Sequence, residues 1–547
     1  MNSKNMHELH WLNISEAAAA IAARELSPVD LVEALLARIE ALDAQINAFI
    51  TVTAEQALDH ARAAEREITS GRYRGSLHGI PFALKDVIET AGIRTTAHSK
   101  ILEHNVPQHD AAVVTQLHEA GAVLMGKLAT HEFAHGGPSF DLPWPPARNP
   151  WDRARFTGGS SSGSGAAVAA GFVPAALGTD TGGSIRIPAA MCGVTGLKPT
   201  YDLVSRAGII PNSFSYDHCG PLARSVEDCA IVLQAVAGKG SSGRSTRRAL
   251  PDYRAGLNGD IRGMRIGVVR HFWEEDLQAA PSVCAAMNAA IEVFAGLGAK
   301  IETVRLRPLR EYTDVNDVIS RSELFSVHQK TLAERAGDYG AIMRSRIFAF
   351  CLFQAADYMQ AQRERRRMIA EMAPVYERFD ILLNAGPGPA GLLADGRSIG
   401  LNDKWEKPKL PAAFSTTAGP ALVLCNGFDD AGLPLAMEIA GRPFDEATVL
   451  RAGHAYQCAT SWTARRPILV TGANAPVISA DDNPVPAPAI DEGTRRYVDA
   501  MAVRAGLKLT PGQKAQLYEA APHALALVKR IAHGHAYGDE PASSFHI

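Results

Sequence analysis

Apolar side chains recur at three- and four-residue intervals early in the chain. Ser27 and Pro28 are typical of a helix N-cap and a first helical residue, and the apolar positions that follow are Leu31, Leu35, Ile39 and Leu42. This spacing places the apolar side chains on one face of a helix. The pattern predicts an amphipathic helix that begins at residue 28. A second, alanine-rich helix is predicted to extend to about residue 71.

The pattern then alternates between strands and helices. The segment "HGIPFALKDV" (78–87) is strand-like, "AAVVTQLHEAG" is helical and "AVLMGKLA" is strand-like again. The same alternation returns in "SVEDCAIVLQAVAG", "MRIGVVR", "AAMNAAIEVFAGLG" and "KIETVRL". Alternating helices and strands build a sheet that is covered by helices. We therefore predict an α/β fold with a mixed or parallel sheet.

The middle of the chain, from about residue 310 to 380, is long, charged and helical in pattern. Its strongest basic run, "QRERRRMIAEM", is predicted to be a solvent-exposed helix face. Two later apolar runs, "PALVLCNGF" and "LPLAMEIAG", return to the sheet, and "DEATVLRAGHAYQ" predicts a helix. These elements complete the main body of the protein.

A proline-rich stretch, "ADDNPVPAPAID", separates this body from a short tail. The sequence predicts a main domain over residues 1–478, an extended linker over 479–491 and a small helical tail over 492–547. About 55 residues do not readily bury a core of their own. We therefore expect the tail to pack on the main body or on a partner.

The composition argues against several classes of protein. The 547 residues are 46% hydrophobic and 21% charged, with a formal net charge of −3. This balance lacks the basic character of proteins that bind nucleic acid or anionic membranes. The seven cysteines are scattered and form no C-x-x-C pair, and the start "MNSKNMHELHWLN" is polar. These features predict a soluble, cytoplasmic protein with reduced thiols and no membrane segment.

Candidate chemistry lies in two loops rich in glycine and serine and in one apolar strand. The loops are "FTGGSSSGSGAAVAAG" (156–171) and "GTDTGGSIRIPAA" (178–190), and the strand contains Lys85. Burial lowers the pKa of a lysine because it disfavours the charged form, and a neutral amine is a base. A serine hydroxyl becomes a nucleophile when a neighbouring base accepts its proton.

These segments resemble the amidase signature family of Ser-Ser-Lys amidohydrolases. The resemblance extends from about residue 10 to 470 and rests on "GIPFALKDV", "MGKLATHEFAHGG", "GRPFDEATVL" and the two loops, in the family's order and spacing. It implies the amidase signature fold, a large mixed β-sheet covered on both faces by helices. The segments "DILLNAGPGPAG" and "FSTTAGPALVLCNGF" depart from the family where relatives shape the acyl pocket, so the substrate cannot be inferred by analogy.

The resemblance also implies a role for each site residue. Ser184 corresponds to the nucleophile, Ser160 to a bridging serine held by a cis peptide bond, and Lys85 to the base. Main-chain N–H groups that bind the oxyanion are expected at Ser184 itself and at Thr181, Gly182 and Gly183. Supporting roles are expected for Ser161, Asp180 and Arg186. His131, His135 and His218 lie in family-like segments and are predicted to be structural.

The implied activity is hydrolysis of a carboxamide or related C–N bond through an acyl-enzyme on Ser184. The resemblance implies no cofactor and no metal, and a homodimer is expected from family habit. The expected partner is a small amide-type molecule, with no nucleic acid and no membrane. A tight-turn role for the Gly-Gly-Ser segment is the simplest alternative, and the surrounding motifs argue against it.

Three other functions compete with this one. Residues 159–163 formally match G-x-S-x-G, the nucleophile elbow of α/β-hydrolases, but the preceding "PPARNPWDRARF" is a poor strand. A nucleotide-binding loop would require G-x-x-x-x-G-K-[ST], which does not follow. The third alternative lies inside the family: the A subunit of tRNA-dependent amidotransferases, which releases ammonia from glutamine. The tail "RRYVDAMAVRAGLKLT" resembles the small C subunit of those complexes, and a fused copy favours a stand-alone amidase.

Overall fold

The structure is a computed structural model that describes residues 6–238, 249–395, 407–478, 490–531, 533–536 and 538–542. Residues 479–489, most of the predicted linker, lie outside the described residues. Among the described helices, none is long and apolar enough to cross a membrane.

An eleven-stranded sheet forms the centre of the fold, in the order β1-β3-β2-β4-β6-β5-β10-β11-β9-β7-β8. Its strands are β1 Phe49–Val52, β2 Pro81–Lys85, β3 Val123–Leu128, β4 Ala175–Asp180, β5 Thr195–Lys198, β6 His218–Ala223, β7 Arg265–Val268, β8 Lys300–Thr303, β9 Ile381–Ala385, β10 Ala421–Phe428 and β11 Pro434–Gly441. Strand β2 runs parallel to β3 and β4, and β7 runs parallel to β8 and β9, while the remaining neighbours are antiparallel. The sheet is therefore mixed, and the predicted fold class is confirmed.

Fifteen α-helices lie in the described part of the chain. They are α1 Ile14–Ala22, α2 Pro28–Ile46, α3 Ala54–Thr69, α4 Ala112–Glu119, α5 Ser162–Ala169, α6 Arg186–Cys192, α7 Val226–Val236, α8 Pro281–Gly296, α9 Leu309–Arg335, α10 Ala341–Ile347, α11 Ala355–Arg378, α12 Ala412–Thr416, α13 Glu446–Ala459, α14 Glu492–Arg504 and α15 Pro511–Lys529. Every residue of β2, β3, β4 and β6 is buried. Strands buried on both faces show that helices cover the two sides of the sheet.

Helix α2 illustrates how the sequence determines where a helix begins. The Ser27 hydroxyl accepts hydrogen bonds from the N–H groups of Val29 at 3.0 Å and Asp30 at 3.4 Å. Pro28 occupies the first helical position, where its missing N–H costs nothing. The helix buries the apolar face predicted from the sequence, namely Leu31, Leu35, Ile39 and Leu42.

The parallel strands β2 and β4 bring the candidate site together. They pair in register from Phe82 opposite Ala175 to Leu84 opposite Leu177, so their carboxyl ends lie at the same edge of the sheet. Lys85 is the last residue of β2, and Asp180 is the last residue of β4. The loop that follows β4 leads directly into α6 and contains Ser184.

Candidate active site

Lys85 is fully buried at the end of β2 and contacts two hydroxyl groups. Its Nζ donates to Ser160 Oγ at 2.7 Å and to Thr179 Oγ1 at 2.7 Å. Burial lowers the pKa of Lys85 to about 7, although the nearby carboxylates of Asp217 and Asp180 act in the opposite direction. A substantial fraction of this amine is therefore neutral near neutral pH and able to accept a proton.

The loop that contains Ser160 is held by its main chain. The peptide bond between Gly159 and Ser160 is cis. The Ser160 carbonyl oxygen accepts from the N–H of His131 at 3.1 Å, from the N–H of Ser162 at 2.8 Å and from Thr130 Oγ1 at 3.0 Å. Residue 159 has to be glycine because a Cβ there would lie 2.1 Å from the His131 ring. Three hydrogen bonds to one carbonyl fix the position of the Ser160 hydroxyl beside Lys85.

The Ser184 loop lies directly against the Ser160 loop. The N–H of Ser161 donates to the Ser184 carbonyl oxygen at 3.2 Å, and the Ser161 hydroxyl donates to the Thr179 carbonyl oxygen at 3.1 Å. Gly183 has a φ of +119°, a conformation that residues with a Cβ rarely adopt. This glycine therefore allows the turn that brings Ser184 to the loop surface.

Asp180 organises the main chain around Ser184. Its carboxylate accepts from the N–H of Gly183 at 2.8 Å and from the N–H of Ile185 at 3.1 Å. The Gly183 N–H, one of the predicted oxyanion donors, is therefore committed to Asp180. Within the described chain, the N–H groups of Thr181, Gly182 and Ser184 donate to no protein group. Three of the four predicted donors therefore have no acceptor among the described residues.

Arg186 holds Asp180 in place from within the protein interior. Its guanidinium contacts both carboxylate oxygens of Asp180 at 3.0 Å and also contacts Glu438 at 2.6 Å. Burial alone would raise the pKa of Asp180, but the Arg186 guanidinium holds it well below its ordinary value. All three side chains are almost completely inaccessible to solvent. The contacts of this buried charge network hold the Asp180 carboxylate against the main chain of the Ser184 loop, and the supporting role of Asp180 and Arg186 stays a prediction.

Replacing Arg186 with methionine is expected to lower the free energy of unfolding by about 3–5 kcal/mol, because two buried carboxylates lose their partner. Urea unfolding of the purified variant measures this change. The matched control is Arg62→Met, which breaks an ion pair to Asp59 whose side chains are 50% and 74% exposed. That variant is expected to change stability by less than about 1 kcal/mol. A similar small change for Arg186→Met would contradict the proposed role of the network.

A cavity of about 350 Å³ opens above these loops. Ser160 and Ser184 both line it, and Lys85 lies beneath Ser160. Part of its lining is strongly charged, and we call these residues the charged wall: Asp317, Arg321, Arg346, Lys407 and Lys409. Asp317 contacts Lys409 at 2.6 Å and Arg321 at 2.7 Å. Burial would raise the pKa of Asp317, but these two cations lower it.

Comparison with known proteins identifies the family. The Amidase family model matches residues 30–450. The chain belongs to the amidase signature family. Its relatives include the glutamyl-tRNA(Gln) amidotransferase A subunit of Chloroflexus aurantiacus, which is 42% identical over 85% of this chain and 100% of the relative. The protein is accordingly an amidase-signature enzyme that hydrolyses amide C–N bonds.

Solved structures of the family share this fold. A chain of an inhibitor-bound vestigial protein complex, described as revealing the evolutionary origins of an s-triazine catabolic enzyme, is 34% identical with a TM-score of 0.75. The match covers 83% of this chain and 99% of the other. Native peptide amidase from Stenotrophomonas maltophilia is 31% identical with a TM-score of 0.70, over 83% of this chain and 98% of the other. The amidase signature fold predicted from the sequence is confirmed.

The relatives contradict the prediction of a small amide-type partner with no nucleic acid. Proteins named for an amidotransferase of glutamyl-tRNA(Gln) share 42% identity with most of this chain. The prediction was wrong because it rested on the net charge of −3, which is a property of the whole chain. In these relatives, a similar chain belongs to an enzyme named for a tRNA.

The site also contains residues for which the sequence predicts no catalytic role. Thr179 contacts Lys85, and its only signal in the sequence is its place in the same glycine-rich segment as Ser184, five residues earlier. His131 and His135, which the sequence predicts to be structural, both line the cavity. Burial lowers the pKa of His131 to about 3 and also lowers that of His135, so both rings are neutral. The charged wall comes from three distant segments, which no single motif reveals.

Proposed function

We propose that the chain cleaves its amide through an acyl-enzyme on Ser184, with Ser160 and Lys85 as the proton path. The main support is the contact at 2.7 Å between Ser160 Oγ and a buried Lys85 whose pKa is lowered to about 7. That contact lies at the floor of a cavity that Ser184 also lines. A hydroxyl group acts as a nucleophile when a base of suitable pKa accepts its proton.

In the proposed reaction, the Ser184 hydroxyl attacks the amide carbonyl carbon and its proton passes to Ser160, whose own proton passes to Lys85. The C–N bond then breaks, and the leaving amine takes a proton back from Ser160. Water next attacks the acyl carbon of the acyl-enzyme, and the same relay accepts the water's proton. The bond from that carbon to the Ser184 oxygen then breaks, the relay returns the proton to this oxygen, and the carboxylic acid leaves. Thr179 accepts the second hydrogen bond of Lys85 and so orients the amine toward Ser160.

The carbonyl oxygen gains negative charge during each attack. We infer that the N–H groups of Thr181, Gly182 and Ser184 bind this oxygen, since Gly183 donates to Asp180. One oxyanion donor typically contributes about 3 kcal/mol to transition-state stabilisation. Asp180 and Arg186 act as positioning residues because they hold this segment of main chain.

Glutamine is the first candidate for the amide. The support is the similarity to glutamyl-tRNA(Gln) amidotransferase A subunits, which are 38–42% identical to this chain. In that role the chain would hydrolyse glutamine to glutamate and ammonia, and an amidotransferase acting on glutamyl-tRNA(Gln) would consume the ammonia. The charged wall fits an acyl group that carries a carboxylate, because Arg321, Arg346 and Lys409 face the cavity.

A carboxamide other than glutamine is the second candidate. Peptide amidase shares the fold at 31% identity over 83% of this chain. In addition, 15% of this chain has no counterpart in the amidotransferase relative, because that relative is fully covered by the other 85%.

These candidates are distinguished by measuring ammonia release from three substrates: glutamine, a peptide amide and the uncharged butyramide. We expect glutamine to be hydrolysed and Arg346→Met to raise its KM about tenfold, because a charged hydrogen bond to the carboxylate is lost. The KM of butyramide serves as the matched control and should stay within twofold. Cleavage of the peptide amide without cleavage of glutamine would favour the second candidate. An equal KM change for both amides would contradict carboxylate recognition by Arg346.

A further inference from the structure

The C-terminal part of the chain contacts the helix that forms one wall of the cavity. Helix α9 contributes Asn316, Asp317, Ser320 and Arg321 to that wall, which places the cavity along one face of the helix. The helices α14 and α15 lie beyond residue 450, where the family model ends. We call residues 490–531, which contain both helices, the C-terminal unit.

The first contact is a partly buried ion pair, about one turn along α9 from the residues that line the cavity. Arg530, just after α15, donates from Nε to Asp314 Oδ2 at 2.7 Å and from Nη2 to Asp314 Oδ1 at 2.9 Å. The Asp314 side chain is only 4% exposed. Asp314 lies three residues before Asp317, which lines the cavity. A two-point contact of this kind fixes both the position and the rotation of a helix more firmly than a single hydrogen bond.

The second contact is apolar and connects the C-terminal unit to residues that line the cavity through the segment Phe348–Leu352. Helices α14 and α15 pack against the 3₁₀ turn Phe348–Leu352, and α15 also packs against α10. The apolar face that α15 buries consists of Leu517, Ala520, Ala521, Ala524 and Leu527. Phe350 of the turn lies 5.5 Å from the Arg321 guanidinium and 5.7 Å from the His135 ring. Arg321 and His135 both line the cavity.

We propose that the C-terminal unit is a positioning element of the substrate pocket, which holds α9 and the Phe348–Leu352 turn and thereby places the charged wall against the substrate. This inference rests on the proposed function, because it takes the cavity to be the place where the substrate binds. The charged residues of the wall belong to α9, α10 and residues 407–409, whereas Lys85, Ser160 and Ser184 belong to β2 and the two serine loops. Loosening the wall therefore changes substrate binding more than the chemical step, and Arg530 acts as a positioning residue.

The test compares Arg530→Met with wild type in the full chain. We expect the KM of the best amide to rise about fivefold or more while kcat stays within twofold. Arg530→Lys keeps the charge and should restore part of the affinity. The matched control is Arg366→Met, which removes an ion pair between Arg366 and Glu540 at 2.6 Å. The two side chains of this pair are 50% and 74% exposed. That variant should match wild type. An unchanged KM in Arg530→Met would overturn the proposal.

A second readout does not depend on turnover. Hydrogen exchange of the α9 amides and of the Phe348–Leu352 turn should increase in Arg530→Met and Arg530→Lys but not in Arg366→Met. Unchanged exchange in both Arg530 variants would overturn the proposal even if the enzyme is active. If hydrogen exchange increases in the Arg530 variants but the wild-type protein cleaves no amide, the positioning role is supported and the proposed function is rejected. If Arg530→Met does not fold, Arg530→Lys carries both readouts.

Discussion

Ser184→Ala is expected to lower amide turnover by about 10⁴-fold or more, because the variant has no nucleophile to form the acyl-enzyme. Substrate affinity should change little, since the alanine leaves the cavity and its charged wall intact. Steady-state kinetics with the best amide measures both quantities. The loss should appear in kcat.

Ser164→Ala is the matched control for this variant. Ser164 is a buried serine of α5 in the neighbouring glycine-rich segment, and its hydroxyl donates to the Leu177 carbonyl oxygen at 3.2 Å. It does not line the cavity. Its replacement should leave kcat within a few-fold of wild type. Turnover by Ser184→Ala at a comparable rate would show that another group attacks the amide.

Lys85→Met is expected to lower kcat by several orders of magnitude, because the proton of the nucleophile then has no buried base to accept it. In wild type, a base must be neutral to act. Since burial lowers the pKa of Lys85 to about 7, activity should rise with pH through about 7 and then level off. The pH profile of kcat/KM measures this midpoint.

The variant Lys85→Arg tests whether residue 85 acts as a base or only as a positive charge. Arginine keeps the charge but stays protonated at all working pH values. We expect Lys85→Arg to be as inactive as Lys85→Met. Near-normal activity in Lys85→Arg would mean that residue 85 acts through its charge. A wild-type profile without a rise near pH 7 would contradict Lys85 as the base whose pKa burial sets.

The sequence predicts the fold class and the main elements because their periodicity is strong. The N-cap of α2, the buried strands β2 and β3 and the helix–strand alternation all lie where the pattern places them. The order of the strands is set by contacts between distant segments. The neighbours β5 and β10, for example, are separated by more than two hundred residues, and no local pattern encodes that pairing.

The basic run of α11 shows where local pattern fails. The sequence predicts a solvent-exposed helix face for "QRERRRMIAEM", yet Arg365 of this run is only 3% exposed. Its guanidinium donates to the main-chain carbonyl oxygens of Thr416 and Ser215, each at 3.1 Å. The acceptors come from segments far along the chain. A sequence window of a few residues therefore cannot predict that Arg365 is buried.

The candidate site likewise has one part that the sequence predicts and another that it does not. The floor of the cavity is predictable because Ser160, Ser184 and Lys85 lie in short segments with distinctive neighbours. The wall is not, because it combines residues of α9, α10 and the segment 407–409. Its members are ordinary charged residues in sequence, and only the fold brings them to one cavity.

Covalent trapping tests the proposed acyl-enzyme most directly. The protein is quenched in acid during turnover of the best amide and digested with trypsin, and the acyl group is located by mass spectrometry. The tryptic peptide 156–186 contains all the serines of both loops, so fragment ions have to assign the acylated one. We predict an acyl group on Ser184 and none in the Ser184→Ala protein. An acyl group on Ser160 or Ser161, or its persistence in Ser184→Ala, would contradict the account.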